Sequence, residues 1–369
     1  LKGILFTLVL LCLGLYAYSF YFLVTVLAIS FLIFFHELGH FLAARSLGVK
    51  VNTFSIGFGE KIYTKNVDGT DYCLSAIPLG GYVQLKGQDD TDPKARNYDR
   101  DSYNVLSPIK RIYILFAGPF FNFILAFFIY ILLGFIGIEK QAPSIGYIVK
   151  GSAAESAGLV KNDKILEING VKITEWDEIS KNVKLEPSTI LIDRNGSILS
   201  INLTPKIGET INIFNEKIQH PLIGIRSNGE VIKIYHTGFS SLKFAYDETL
   251  KASMLIFKSL EKLIIGDISP KEVSGILQIT DITSKAAKIG ISVLLTIMAF
   301  ISANLGVFNL LPIPALDGGH ILFNLYELIF RREVNERVLI MLTYCGWALL
   351  LGIMVLATFN DIMRLSGGL

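Results

Sequence analysis

The chemistry-bearing residues of this chain cluster in Phe35-His36-Glu37-Leu38-Gly39-His40-Phe41, which contains His-Glu-x-x-His. On a helix, positions i and i+4 lie on one face, one turn apart. His36 and His40 can therefore share one zinc ion at roughly 2.0–2.1 Å each. Glu37 lies beside them, placed to take a proton from a water that the metal activates. Two histidines and a glutamate can also meet by chance as core residues. Two observations favour the chemical reading. The motif closes an apolar run that starts near Ile4, and ionisable side chains in such sequence are costly and functional by default. The chain also has five histidines, and two of them fall in this turn.

Zinc held by two histidines needs a third protein ligand and an open position. The string Asn309-Leu310-Leu311-Pro312-Ile313-Pro314-Ala315-Leu316-Asp317-Gly318-Gly319-His320 offers one. Its two prolines break a helix, and Asp317 follows at membrane depth, where a lone carboxylate needs a partner or a metal. Asp317 is the preferred third ligand and His320 the rival.

These residues must be positioned by membrane helices. The chain has 369 residues, 51% of them hydrophobic, with a mean hydropathy of +0.51, which points to several spans rather than an ordinary soluble fold. The net charge of +2 is small, and no basic stripe interleaved with aromatics suggests nucleic acid. Three cysteines, Cys12, Cys73 and Cys345, fit neither a zinc knuckle nor a disulfide framework. The expected spans are 20–47 with the His-Glu-x-x-His turn, 111–138, a helix over about 288–311 within a 288–337 segment that also holds the Leu-Asp-Gly loop, and 338–360. Residues 1–19 are an extra apolar segment. They form either a separate helix that breaks near Tyr18-Ser19 or the start of one long tilted helix.

The loop after the first motif carries Lys50, Lys61, Lys65, Lys86, Lys94, Arg96, Arg100 and Lys110, and Arg331, Arg332 and Arg337 follow Asp317. Loops rich in Lys and Arg are cytoplasmic. Both halves of the metal site then belong toward the cytoplasmic face. Residues 50–110 read as a β-hairpin region and a polar loop. Lys61–Lys65 alternates, Asp68-Gly69 turns, and Tyr72–Ile77 returns. Asn122, in the span that holds Gly118-Pro119-Phe120-Phe121-Asn122, is either a hydrogen-bonding glue between helices or a neighbour of substrate.

From about 140 to 240 the composition turns soluble, and 141–206 reads as one domain within that stretch. Gly146-Tyr147-Ile148-Val149, a short helix near Ala153–Ala157, a strand ending in Asn169-Gly170 and a helix after Trp176 resemble a bacterial PDZ domain, a fold whose groove takes a peptide C-terminus. Residues 207–287 are expected to form further extracytoplasmic strands and an amphipathic helix carrying Lys243, Lys251, Lys258 and Lys262, either lying on the membrane or buried.

With residues 36–40, 118–122, the PDZ-like insert and 309–320 in that order, the chain resembles the site-2 protease family, in particular its bacterial regulator-of-sigma-E branch. The resemblance covers nearly the whole chain from about residue 20. It implies a membrane α-helical bundle of four core transmembrane helices, with one extra N-terminal segment possible. A membrane-associated β-hairpin on the cytoplasmic side and one extracytoplasmic PDZ domain complete that architecture. It further implies that His36, His40 and Asp317 bind Zn2+ and that Glu37 is catalytic. Asn309, Asn122 and the 54–85 strands, with Leu74, Ser75 and Gly80, would bind unwound substrate. The implied activity is intramembrane zinc endopeptidase action on single-span membrane proteins, such as anti-sigma factors or signal-peptide remnants, in the bacterial inner membrane, amid lipid and with no nucleic acid. Two features depart from the family: one PDZ-like unit where some members have two, and the extra N-terminal apolar segment. A zinc transporter and a PDZ-based membrane scaffold are the rival readings. A transporter would show internal repeats or several acids along a path.

Overall fold

The computed structural model describes residues 20–88, 97–212 and 216–366; the expected extra segment at 1–19 and part of the polar loop after Leu85 lie outside them. Two compact units divide the chain. One comprises Leu1–Leu133 with Gly238–Leu369, the other Gly134–Thr237.

Among the described residues, four helices of the chain are long and apolar enough to cross a membrane. These are α1 (Phe20–Ser46), α2 (Pro108–Ile136), and two later helices, Ile291–Asn309 and Glu336–Leu365. In α1 the apolar side chains encircle the helix, as expected where both protein and lipid surround it. Pro119 sits inside α2, where neighbouring helices can tolerate it. Between α1 and α2 lie β1 (Val51–Val67) and β2 (Thr70–Leu85), joined by Asp68-Gly69 with both residues at positive φ. Both strands bend and pair twice. Thr53–Ile56 pairs with Asp71–Leu74 on one side and with Gly81–Gln84 on the other, while Tyr63–Asn66 pairs with Asp71–Leu74 from outside. The lanes therefore run 63–67, 70–75, 51–56, 81–85. The 81–85 lane has no further strand partner among the described residues. An aromatic cluster ties the sheet to α1: Phe34 and Phe41 meet Phe54 with ring centroids 5.6 and 5.2 Å away, and Phe41 meets Tyr72 at 6.0 Å.

The second unit begins with β3 (Ile138–Gln141) and β4 (Ile145–Ile148) and contains α3 (Ala153–Ser156), β5 (Lys164–Ile168), β6 (Val171–Lys172), α4 (Asp177–Asn182), β7 (Ser188–Arg194) and β8 (Ser197–Leu203). Ser152 caps α3 by accepting from Glu155 N. A sheet in the order β6-β5-β7-β8 covers a core of Ile145, Ile165, Ile168, Ile190 and Ile192. The unit reaches beyond residues 141–206 in both directions. After the hairpin β9 (Lys206–Ile211) and β10 (Lys217–Leu222), strand β11 (Ile225–Ser227) pairs back with β4, and β12 (Val231–Ile234) pairs with β3. The late strand-like stretch thus completes the same unit.

The chain then forms α5 (Phe239–Ile265), α6 (Ile276–Ile289), α7 (Ile291–Asn309), α8 (Asp317–Phe330) and α9 (Glu336–Leu365). The expected amphipathic helix is α5. Its Ala252 is buried with Ala126 of α2 and Ala303 of α7, while Phe239, Tyr246, Leu250 and Phe257 stay exposed. Buried Asp361 near the end of α9 accepts from Gly275 N and Gln278 N at 3.0 Å each, satisfying donors at the start of α6 that the helix itself leaves unpaired.

Candidate metal centre

His36 and His40 sit one turn apart in the second half of α1, and Asp317 is the first residue of α8. Their ligand atoms lie within 4.8 Å of one another, and they form the one such group among the described residues. The separations are 3.2 Å between the two Nε2 atoms, 3.3 Å from His36 Nε2 to Asp317 Oδ2, and 3.5 Å from His40 Nε2 to Asp317 Oδ2. Ligands about 2.0–2.2 Å from a tetrahedral zinc stand roughly 3.3–3.6 Å apart. Two imidazole nitrogens and one carboxylate oxygen at these spacings therefore fit one face of a zinc tetrahedron and leave a fourth position. His40 is oriented for this: its Nδ1 donates to Ile114 O at 2.8 Å, which leaves the Nε2 lone pair facing the centre. His36 Nδ1 lies 3.1 Å from the side-chain amide of Asn122.

Glycines let the elements approach this closely. A Cβ on Gly118 of α2 would stand 2.2 Å from His40 Nε2, and one on Gly39 would stand 2.3 Å from Ala117 O. At the other ligand, Cβ atoms on Gly318 and Gly319 would meet Leu310 O at 2.4 Å and Ile313 O at 2.2 Å. The Pro312–Pro314 break folds back on the start of α8, and only the two glycines after Asp317 permit it.

The three ligands line a cavity of ≈ 400 Å³. Glu37, Asn309 and His320 line it too, as do Gly81, Tyr82 and Val83 from the open lane of the sheet. Gly81 packs against Ser55, whose carbonyl oxygen would lie 2.8 Å from a Cβ there, and it stands beside Glu37. His320 stands outside the group of three ligands, its ring 6.0 Å from Phe323. Gly80 has φ +136°, and a Cβ on it would enter the Phe58 ring, which stacks on Tyr82 at 6.2 Å. Of the five residues expected to bind substrate, Asn309 lines the cavity and Gly80, Leu74, Ser75 and Asn122 do not. Leu74 and Ser75 lie on the inner lane and do not line the cavity, and Ser75 is buried with its hydroxyl 2.9 Å from that of Ser55. Asn122 is fully buried behind His36.

Sequence reading missed Phe58, Tyr82 and Trp347 of the cavity wall and the ion pair of Arg111 with Glu327 at 2.7 Å. Phe58 and Tyr82 could be found only by knowing the strand register. The ion pair joins residues 216 positions apart and leaves no local signal.

The family model described as peptidase family M50 matches residues 24–353. A relative from Campylobacter jejuni is 56% identical over 367 residues, covering all of both chains. One from Helicobacter pylori is 42% identical over 93% of this chain and 99% of its own. A third, from Clostridium acetobutylicum, is 34% identical over 92% of this chain and 96% of its own. All three are named as zinc metalloproteases, and these matches favour neither a transporter nor a scaffold. A family match from the first span into the last, four apolar helices and a donor set spaced for zinc have one common explanation: the chain belongs to peptidase family M50, the site-2 proteases, and is a membrane-integral zinc metalloprotease.

Proposed function

We propose that the chain hydrolyses peptide bonds within or near the transmembrane segments of single-span proteins in the bacterial inner membrane. Anti-sigma factors and signal-peptide remnants are the substrate classes. The observation that carries this reading is the shared cavity: the three metal ligands and Glu37 face the open lane Gly81–Val83 of the sheet. A helical substrate hides its peptide bonds. An open strand edge offers main-chain hydrogen bonds that hold an unwound segment extended across the site. Asn309, at the end of α7, is placed to steady that segment.

His36, His40 and Asp317 would hold the zinc, which supplies Lewis acidity toward water and the scissile carbonyl. Glu37 accepts the proton that the attacking water loses as its oxygen bonds to the carbonyl carbon. It then delivers that proton to the amide nitrogen as the C–N bond breaks. Gly134–Thr237 acts as a PDZ domain on the periplasmic side and screens substrates; its strand–helix–strand order and Asn169-Gly170 turn support this. The Lys- and Arg-rich loops flanking the ligands support placing the metal toward the cytoplasmic face.

The test is Glu37→Gln in the purified full chain, reconstituted in proteoliposomes with a panel of tagged single-span proteins. The expected result is one zinc per chain, as in the wild type, with cleavage reduced by roughly 10²–10⁴-fold. Retained cleavage would overturn the mechanism. A wild-type chain that cleaves none of the single-span panel would overturn the substrate class.

A further inference from the structure

The metal ligands come from two helices far apart in sequence, and α2 touches both. Its Ile114 carbonyl holds His40 Nδ1 at 2.8 Å, and its Gly118 makes room for the same ring. Arg111 stands one turn before Ile114. Positions 111, 114 and 118 follow i, i+3, i+7 and so share one face of α2. Arg111 is itself anchored, its Nε donating to Leu106 O at 3.1 Å just before the helix begins. Its Nη2 donates to Glu327 Oε1 of α8 at 2.7 Å. Both side chains are mostly buried and both line the metal cavity.

Helix α8 has little else to set its orientation. Its buried residues are Gly318, Gly319 and Asn324. The two glycines pack on the Leu310–Pro314 break, and the Asn324 amide donates to His320 O of its own helix. Leu322, Leu325, Leu328 and Ile329 are exposed, so no broad packed face fixes the rotation of the helix about its axis. Side chains of an α-helix reach about 5–6 Å from its axis. A rotation of about 20° therefore carries such a carboxylate by about 2 Å, whereas a metal ligand tolerates only about 0.2 Å.

We propose that Arg111 is a positioning residue for Asp317. By gripping Glu327 farther along α8, it fixes the rotation and tilt of that helix against the face of α2 that also holds His40. Asp317 Oδ2 is thereby kept 3.3 Å from His36 Nε2 and 3.5 Å from His40 Nε2. The first turns of α2 thus serve as one brace for ligands from both helices. This inference rests on His36, His40 and Asp317 being the zinc ligands.

The experiment compares the full chain in nanodiscs with Arg111→Leu, Glu327→Leu, the double variant and Asp317→Ala. Zinc affinity is measured by chelator competition. Cobalt(II) loaded in place of zinc gives a visible spectrum that follows the ligand set, and the melting temperature of the metal-free chain reports stability. Each single variant should bind zinc roughly 10–100-fold more weakly than the parent. The double variant should bind no more weakly than either single one, because both remove the same tie. All three cobalt spectra should shift toward that of Asp317→Ala. A lowered melting temperature with parent zinc affinity and spectrum would make the ion pair a stabilising contact only and overturn the role of Arg111, as would losses of affinity that multiply in the double variant. Should a single variant fail to fold because it strands a charge, the double variant, which strands none, decides by the same two metal readouts. An Asp317→Ala chain with parent affinity and spectrum would overturn the ligand assignment instead, so the two failures are told apart.

Discussion

At the scale of single residues, the site depends on missing side chains as much as on present ones. Gly118 is the sharpest case, because its missing Cβ would stand 2.2 Å from His40 Nε2, the ligand atom itself. Gly118→Ala must push His40 aside or move α2. The expected outcome is loss of stoichiometric zinc from a chain that still inserts and folds, read by metal analysis of the purified protein. One zinc per chain in the variant would show that α2 yields without cost. His36 and His40 are legible in sequence because helical periodicity stacks them on one face, and Glu37 because it completes the His-Glu-x-x-His pattern. Asp317 is legible because prolines and glycines mark the break that delivers it. Asn122 could be recognised as polar in a span, but not as the partner of His36, since 86 residues separate the two and no period links them.

At the scale of elements, the helices follow from composition and the sheet does not. Apolar runs fix four spans within a few residues. The strands at 51–85 were readable as strands, but their double pairing was not, because bends in β1 and β2 change partners along each strand. A shift of one register position exchanges the two faces. In the observed pairing Leu74 and Ser75 fall on an inner lane, and Gly81–Val83 line the cavity. Gly80 sets the shape of that lane through its φ of +136° and its contact with the Phe58 ring. Gly80→Ala strains the backbone by about 1–3 kcal/mol and displaces Phe58 from Tyr82. The expected outcome is unchanged zinc content with kcat/KM on a membrane-embedded substrate down roughly tenfold, the effect of losing about 1.4 kcal/mol of transition-state binding. A loss of zinc instead would mean that the lane supports the metal ligands rather than the substrate.

At the scale of the whole molecule, the Gly134–Thr237 unit is an insertion whose two ends meet. Composition marks the soluble stretch from about 140 to 240, but not that one fold closes over it by pairing its last strands with its first. Gln141 and Val231 lie directly opposite each other on β3 and β12, and Ala142 N donates to Glu230 O at 2.8 Å just beyond them. Replacing residues 142–230 by Asn-Gly therefore joins two paired strands through a two-residue hairpin turn, the connection such a pair favours. A cut at 141–206 would instead strip β11 of its partner β4 and expose its edge. If the unit screens substrates and the helices do the chemistry, the shortened chain should keep one zinc and cleave the same single-span proteins. It should also cleave versions that retain a folded domain outside the membrane, which the full chain rejects. Gel-based cleavage of matched substrates with and without such a domain measures the difference. Equal rejection by both chains would remove the screening role, and loss of all cleavage would make the unit part of the catalytic machinery.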